Sequence, residues 1–199
     1  MEVKNGSVEE KILNASFHIL EKEGFSGATT KKIANQAGVS EVTLFRKFEN
    51  KEKLINIAKE HYSERFIEKL NEIFDYTPEM EVEEYLTRSF ERTVNLTDNE
   101  MTILKVGIEE VRDIPSEKKV FLRISETIIN KLSEFFSLKI RQNEIRDINP
   151  DILALNMFSI LFESMILWKI YGKKPKYSIE KYTEDFLDII LNGIKSDNK

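Results

Sequence analysis

Residues that interrupt α-helices are few in this chain, and they are widely spaced. The 199 residues include seven glycines and four prolines, and the segments between them are rich in glutamate, lysine, leucine and isoleucine. These residue types are favoured inside α-helices. The spacing therefore predicts an all-α protein, and the chain is long enough for a substantial hydrophobic core.

Several classes of chemistry are excluded by the residue content. The chain has no cysteine, which rules out disulfides and cysteine-ligated metals and agrees with a reducing cytoplasm, where we expect the protein to act. His18 and His61 have no partner at metal-binding spacing, so we predict no metal site and no cofactor. The sequence has neither a glycine-rich phosphate loop nor a Gly-x-Ser-x-Gly motif, and we predict that the protein is not an enzyme.

The most apolar segment of the chain is residues 152–168. Asn156 and Glu163 interrupt it, and we interpret it as too short and too polar to span a bilayer. Residues 1–6 do not lead into the apolar core of a secretion signal. We therefore expect a buried helix here and no membrane partner.

The distribution of charge matters more than its sum. The net charge is −5, which alone argues against nucleic acid, because duplex affinity depends on neutralising phosphates. Residues 24–59, however, contain seven lysines and arginines against three glutamates, a local net charge of +4. The N-terminal region is therefore suited to a polyanion, and the acidity lies elsewhere.

Apolar periodicity predicts helices along the whole chain. The first four are predicted at residues 7–24, 29–36, 40–47 and 51–76. The others are predicted at about residues 79–96, 98–113, 115–140, 150–171 and 178–195. We divide the chain into a compact three-helix head, residues 1–50, and a larger helical bundle, residues 51–199, joined directly by the long fourth helix.

The second and third helices have helix-turn-helix spacing. Thr29 and Ser40 are N-cap residues, and Gly38 supplies the turn between the helices. If Leu44 and Phe48 point into the core, the helical period turns Val42, Thr43 and Arg46 outward, where short side chains permit contact with base edges. The alternative is a pair of capped surface helices in an ordinary bundle, with an accidental basic face.

An ordered set of short motifs over about 45 residues resembles the TetR family of regulators. The motifs are Gly24-Phe25, Thr29-Thr30, Ile33-Ala34, Ala37-Gly38-Val39-Ser40, Thr43-Leu44-Phe45, Phe48, Lys51-Glu52 and Leu54. The resemblance implies a homodimer with a C-terminal ligand pocket, in which a bound small molecule releases the DNA. The expected function is a sequence-specific transcriptional repressor that binds a palindromic double-stranded operator and responds to a small, mostly apolar effector of unknown identity.

Carrying the family's motif onto this sequence gives candidate DNA contacts. The candidate base readers are Lys31, Glu41, Val42 and Thr43, and the candidate backbone contacts are Thr30, Phe45, Arg46, Lys47 and Lys51. Two positions depart from the family pattern: Phe45 stands where tyrosine is usual, and Lys32 replaces a common acidic residue. A phenolic hydrogen bond to phosphate is thereby lost, and we expect the charges of Lys32 and Lys47 to compensate.

Two further expectations concern the C-terminal bundle. The predicted helix at residues 150–171 is apolar on most sides, which fits a dimer interface shared with the last helix, or else a fully buried helix in a monomer. The candidate ligand-binding residues are aromatic and other large apolar side chains, for which ordinary core packing is the alternative. They are Tyr62, Phe66, Phe90, Met101, Leu104, Phe121, Phe158, Phe162 and Trp168.

The rival interpretation is a helical ligand-binding or adaptor protein that has kept the head and lost operator recognition. The two interpretations differ in the expected effect of salt and of substitutions on the basic face, because specific DNA binding depends on both.

Overall fold

The computed structural model describes residues 7–108, 119–173 and 175–192. Every regular element within those residues is a helix, which confirms the predicted all-α class. The chain forms two compact units: one holds the described residues of Met1–Phe66 and Thr102–Leu122, and the other those of Ile67–Met101 and Arg123–Lys199.

The helices of the described residues follow the predicted order. They are α1 Val8–Gly27, α2 Thr30–Ala37, α3 Glu41–Phe48, α4 Lys51–Ile73, α5 Val82–Val94, α6 Asp98–Ile108, α7 Val120–Arg141, α8 Pro150–Met165 and α9 Ile179–Asn192. Residues 166–170 continue α8 as one π-helical turn. The predicted helical residues 109–113, 115–118 and 193–195 lie outside the described residues.

Hydroxyl caps begin the first three helices, as the sequence predicts. Ser7 and Glu10 form a capping box, in which Ser7 Oγ accepts from the Glu10 amide at 3.1 Å and the Glu10 carboxylate accepts from the Ser7 amide at 3.0 Å. Thr29 Oγ1 accepts from the Lys32 amide at 3.3 Å, and Ser40 Oγ accepts from the Thr43 amide at 3.1 Å. Each hydroxyl satisfies one of the backbone donors that a helix start leaves unpaired.

Two glycines set the backbone at the ends of the first two helices. Gly24 has φ 66° and ψ −178°, a conformation that breaks the helical geometry of α1 near its end. Gly38 has φ 69° and ψ 34° and closes α2 in the left-handed region. A side chain strains both conformations, so glycine is the residue that fits them.

The core of the first unit joins the helix-turn-helix to α1. Leu44 and Phe48 of α3 point into the core, as the helix-turn-helix interpretation requires. Ile33 of α2 is buried with them, and so are Ile12 and Ala15 of α1. Their burial fixes the rotation of α3 about its axis. The opposite face of α3 is consequently turned towards solvent.

In the second unit, side chains of α5 bind the carbonyl groups that end α4. Arg92 donates to the carbonyl of Glu72 at 3.3 Å, and Ser89 donates to that of Ile73 at 3.5 Å. Tyr85 donates to the carbonyl of Phe74 at 3.3 Å, and Arg88 donates to that of Asp75. The last carbonyls of a helix have no partner within it, so α5 supplies the C-terminal cap that local sequence does not provide.

Thr97 caps the start of α6. Thr97 Oγ1 accepts from the Glu100 amide at 3.3 Å, and the Glu100 carboxylate accepts from the Thr97 amide at 2.8 Å. Burial raises the pKa of Glu100, but the bonds that its carboxylate accepts from the Thr97 amide and the Thr97 hydroxyl, together with the charge of Lys69, outweigh that effect and lower the pKa. Thr97 and Glu100 thus form a second capping box, which stabilises this helix start.

Candidate nucleic-acid interface

The outward face of α3 exposes an unusual amount of apolar surface beside two cations. Val42 is 78% exposed and Phe45 is 42% exposed. Arg46 and Lys47 are exposed in the last turn of the same eight-residue helix. A folded chain gains nothing by exposing large apolar side chains on a short helix, so this face is suited to contact with another molecule.

Among the candidate DNA contacts, the structure brings two pairs of side chains together. Thr30 Oγ1 donates to Glu41 Oε2 at 2.8 Å, and this bond links the first residue of α2 to the first residue of α3. Thr43 Oγ1 lies 3.0 Å from Ser40 Oγ, so the Ser40 cap also orients the Thr43 hydroxyl. Sequence reasoning named all of these residues but did not find their pairing.

The cations of this region differ in how they are paired. Lys47 Nζ lies 3.7 Å from Glu9 Oε2, and Lys32 forms an ion pair with Glu23. The two lysines expected to compensate for Phe45 therefore bind acids of α1. Within the described part of the chain, Lys31 and Arg46 make no ion pair. Exposed ion pairs contribute little free energy, so a phosphate can replace Glu9 as the partner of Lys47.

The turn between α3 and α4 holds a cap that the sequence analysis missed. Asn50 Oδ1 accepts from the Lys53 amide at 2.8 Å, and Asn50 precedes Lys51, the first residue of α4. An asparagine just before a helix-forming segment is the signal that would have found it. The N-terminal end of α4, with the Lys51 charge beside it, favours the binding of an anion.

A surface hollow of about 440 Å³ lies along the first turns of α4. Its lining residues are Asn50, Glu52, Lys53, Asn56, Ile57 and Glu60. None of the candidate ligand-binding residues is among them. The hollow is open to solvent and lined mostly by polar and charged residues, unlike the enclosed apolar site expected for a small effector.

The candidate ligand-binding residues are divided between the two units. Tyr62, Phe66, Leu104 and Phe121 belong to the first unit, whereas Phe90, Met101, Phe158, Phe162 and Trp168 belong to the second. In the first unit the Tyr62 ring stacks on Phe17 at 3.8 Å, and its hydroxyl donates to Asn14. Partial burial raises the pKa of Tyr62. His61 contacts the Tyr62 ring edge-on at 5.4 Å.

In the second unit, two of the candidates contact a residue that the sequence analysis missed. Tyr182 of α9 lies 4.9 Å from Trp168 and 5.5 Å from Phe90, measured between ring centroids. Its hydroxyl is 2.8 Å from Ser164 Oγ. Phe158 and Phe162 stack separately at 5.5 Å. An aromatic four positions before Phe186 on the same helix was the available signal for Tyr182.

Comparison with known families decides the identity of the helix-turn-helix. Residues 12–57 match the model of bacterial regulatory proteins of the tetR family. The helix-turn-helix of this chain is that of a tetR-family regulator. The matched residues include α2, α3 and the start of α4, the same elements that form the exposed face.

Individual relatives extend the TetR-family likeness beyond the head. An uncharacterised HTH-type transcriptional regulator of Bacillus subtilis, YvkB, is 44% identical over 57 residues, which is 28% of this chain and 30% of that protein. The fatty acid metabolism regulator protein of Bacillus subtilis is 26% identical over 92% of this chain and 94% of its own length. The structure of the transcriptional regulator FadR from Bacillus subtilis in complex with stearoyl-CoA superposes with a TM-score of 0.69 at 21% identity, covering 94% of this chain and 99% of that one. The fold is therefore shared over nearly the whole length.

In the second unit, α8 and α9 carry apolar side chains that the unit leaves uncovered. Ile152 is 56% exposed and Leu155 is 52% exposed on α8, and Ile189 and Leu191 are exposed on α9. Met157, Phe158 and Leu161 of α8 are buried. A fully buried helix in a monomer was the alternative expectation, and these exposed residues contradict it.

The polar residues of α8 lie on its exposed side. Asn156, Ser159 and Glu163 are all exposed, so they form a solvated edge of the helix. The helical stretch Pro150–Ile170 has 21 residues, and an 18-residue window within it has a mean hydropathy of 1.5, so by length and composition it could cross a membrane. The expectation that this segment is too short and too polar was therefore wrong on composition alone. Core helices of globular proteins meet the same criterion. A helix that packs against neighbouring helices on several sides has apolar residues on all of those sides.

Proposed function

We propose that this TetR-family protein is a dimeric transcriptional repressor that inserts α3 of each head into the major groove of a palindromic operator. The observation that supports it best is the outward face of α3, where exposed Val42 and Phe45 adjoin Arg46 and Lys47. The Val42 side chain is of a size to contact thymine methyl groups, the Phe45 ring packs against the sugar–phosphate backbone, and the cations reach guanine or phosphate.

The assigned roles of the head residues form part of this proposal. Lys31, Glu41, Val42 and Thr43 face base edges, and Phe45, Arg46, Lys47 and Lys51 face the sugar–phosphate backbone. Within the described residues, Arg46 and Lys31 form no ion pair that DNA binding would have to break. Their charges are available to the DNA without loss of an ion pair, which favours binding.

The dimer is proposed to form through α8 and α9. Ile152 and Leu155 on one helix and Ile189 and Leu191 on the other provide exposed apolar surface in the same unit. A twofold contact between two copies would cover these residues on both at once. Twofold symmetry also explains why the operator should be a near-palindrome, with half-sites about one helical turn apart or a multiple of it.

For the effector we propose an acyl-CoA. A relative aligned over most of the chain is named as a fatty acid metabolism regulator, and a structure of the same fold contains stearoyl-CoA. The aromatic side chains around Tyr182, together with Phe158 and Phe162, offer the apolar surface that an acyl chain requires. The effector would act by binding better to a form whose two heads do not fit the operator.

The first test is binding of the purified full-length chain to labelled duplexes from its own upstream region, measured by fluorescence anisotropy at about 150 mM salt with excess competitor DNA. We expect competitor-resistant binding to one near-palindromic fragment, which weakens steeply with salt. Arg46→Ala combined with Lys47→Ala should abolish it. The matched control is Arg146→Ala combined with Lys173→Ala, which removes the same two charges from the other unit.

Loss of DNA binding in the control pair, or its retention in the α3 pair, would contradict the assigned interface. Equal, weak binding to every duplex, including a random-sequence library, would favour the adaptor interpretation. The effector is tested separately by adding stearoyl-CoA, stearate or CoA to the DNA complex. We expect release by stearoyl-CoA alone, and no release by any of the three would overturn the acyl-CoA proposal without affecting operator binding.

A further inference from the structure

Glu41 stands out among the candidate DNA contacts because another helix holds its carboxylate. Thr30 Oγ1 donates to Glu41 Oε2 at 2.8 Å, across the turn between α2 and α3. Both side chains are half-buried, and the two residues are eleven positions apart. The bond therefore depends on the packing of the two helices, and it restricts the orientation of a side chain that would otherwise be flexible.

An acidic side chain is an unexpected element of a surface that binds DNA. Its charge repels every phosphate, so it lowers affinity for all sequences alike. A hydrogen bond to the Glu41 carboxylate offsets this repulsion only where a base presents a donor opposite it. Among the described residues, Thr30 is the only side chain that donates to Glu41, and it uses one of the two carboxylate oxygens. The other oxygen can accept from a base.

The edges of the four bases differ in what they offer a carboxylate. In the major groove, cytosine presents an amino donor, guanine presents two acceptors and thymine presents an acceptor beside a methyl group. Adenine presents an amino donor next to an acceptor, N7, which a carboxylate repels. An ionised carboxylate accepts but does not donate, so cytosine is the base that fits Glu41.

We propose that Glu41 is a specificity-determining residue that reads one cytosine in each operator half-site, and that Thr30 is the positioning residue for its carboxylate. The proposal rests on the proposed function, because it requires α3 to lie in the major groove. The Thr30 hydroxyl has one proton, and that proton is directed to Glu41. Thr30 therefore acts through Glu41 and not as a contact to the DNA backbone.

The test begins with selection of preferred duplexes by the full-length parent chain, followed by competition with duplexes altered to each other base at every half-site position. The parent should prefer cytosine at one position by about 5- to 10-fold. Glu41→Gln should lose that preference and gain tolerance for adenine, because an amide can pair with both adenine groups. It should also bind non-cognate DNA more tightly, since one repulsive charge is gone.

Thr30→Val keeps the branched shape and removes the hydroxyl. We expect it to reduce the cytosine preference at the same position about 3-fold, and we expect Thr30→Ser, which keeps the hydroxyl, to restore the parent profile. In a Glu41→Gln background, Thr30→Val should have no further effect on base preference, because the two residues act as one unit. Thr87→Val, in the other unit, is the control for a threonine-to-valine change.

The outcomes separate the proposals. If the parent selects no sequence at all, the proposed function fails and this inference fails with it. If the parent selects a palindrome and Glu41→Gln retains the full preference at every position, operator binding stands and the role of Glu41 is overturned. If Thr30→Val weakens all duplexes equally, and does so in the Glu41→Gln background too, Thr30 contacts phosphate and its positioning role is overturned.

Discussion

The ammonium group of Lys139 lies 2.9 Å from Glu144 Oε1 although the Lys139 side chain is only 1% exposed. Its Nζ also donates to the carbonyl of Pro78 at 3.1 Å and lies 5.8 Å from the centroid of the Phe135 ring. The charge is thus surrounded by protein groups in place of water. A buried ion pair of this kind stabilises the fold only while both partners are present.

The two halves of this pair should respond differently to substitution. We expect Glu144→Ala to lower the free energy of unfolding by about 2 kcal/mol, less than for a fully buried partner because Glu144 is 35% exposed. Lys139→Met keeps the volume and removes the charge, and it should cost less than about 1.5 kcal/mol. Urea unfolding measures both. In the Lys139→Met background, Glu144→Ala should be nearly neutral, and equal losses in both backgrounds would contradict the assigned coupling.

Alkaline pH should weaken the fold through Tyr85. Tyrosines of the unfolded chain ionise near their ordinary pKa of 10.0, and burial raises the pKa of the Tyr85 phenol well above that value in the folded chain. Above pH 10 the unfolded state therefore binds fewer protons, and the free energy of unfolding falls as pH rises. Tyr85→Phe should cost about 1 kcal/mol at neutral pH, through loss of the bond to Phe74, and this deficit should shrink above pH 10.

The measurement is urea unfolding at a series of pH values from neutral to alkaline. Some alkaline slope should survive in Tyr85→Phe, because burial also raises the pKa of Tyr62 and Tyr76. Tyr171→Phe, at an exposed position, is the control and should follow the parent at every pH. A constant difference between Tyr85→Phe and the parent across this range would contradict the prediction.

Operator affinity should increase when Glu9 is neutralised. Glu9 forms an ion pair with Lys47 at 3.7 Å, so Glu9→Gln removes this competitor and lets Lys47 bind a phosphate. We expect affinity to rise about 2- to 5-fold at low salt, with a smaller gain at high salt because both charges are exposed and screened. Anisotropy titrations at two salt concentrations test this. The gain should vanish in a Lys47→Ala background, whereas Glu64→Gln should show none.

The proposed dimer should dissociate when its exposed apolar residues become charged. Leu155→Lys together with Ile189→Lys places two cations in the proposed contact on each copy, which meet like charges across a twofold axis. Sedimentation velocity should then report a monomer with parental helix content by circular dichroism. Glu83→Lys, an exposed change on α5 of the same unit, should leave the dimer intact. If the double variant sediments as a dimer, the interface does not lie at these residues.

Local patterns in the sequence predict the helix-turn-helix well, and they fail where a contact joins distant residues. The caps at Ser7, Thr29 and Ser40 depend on neighbours three positions away, so the sequence contains the whole arrangement. The capping box of Thr97 and Glu100 is equally local, because its glutamate also follows three residues after the hydroxyl residue.

The pairing of Thr30 with Glu41 could not be read from spacing. It needs α2 and α3 to be packed at one rotation, which the burial of Leu44 and Phe48 sets. The pairing of Lys47 with Glu9 likewise joins two helices far apart in sequence. Sequence patterns give the side of a helix that faces inward, but the partner of a polar side chain depends on the tertiary packing.

The π-helical turn at residues 166–170 gives the protein an optical reporter of its own. Trp168 lies within that turn, with its ring edge-on to Tyr182 at 4.9 Å, and it is the single tryptophan in the chain. All tryptophan emission therefore comes from one site in the second unit, and the first unit contributes none. Tryptophan fluorescence can therefore follow unfolding of the second unit without labels, because the first unit, which carries α3, contributes no tryptophan signal.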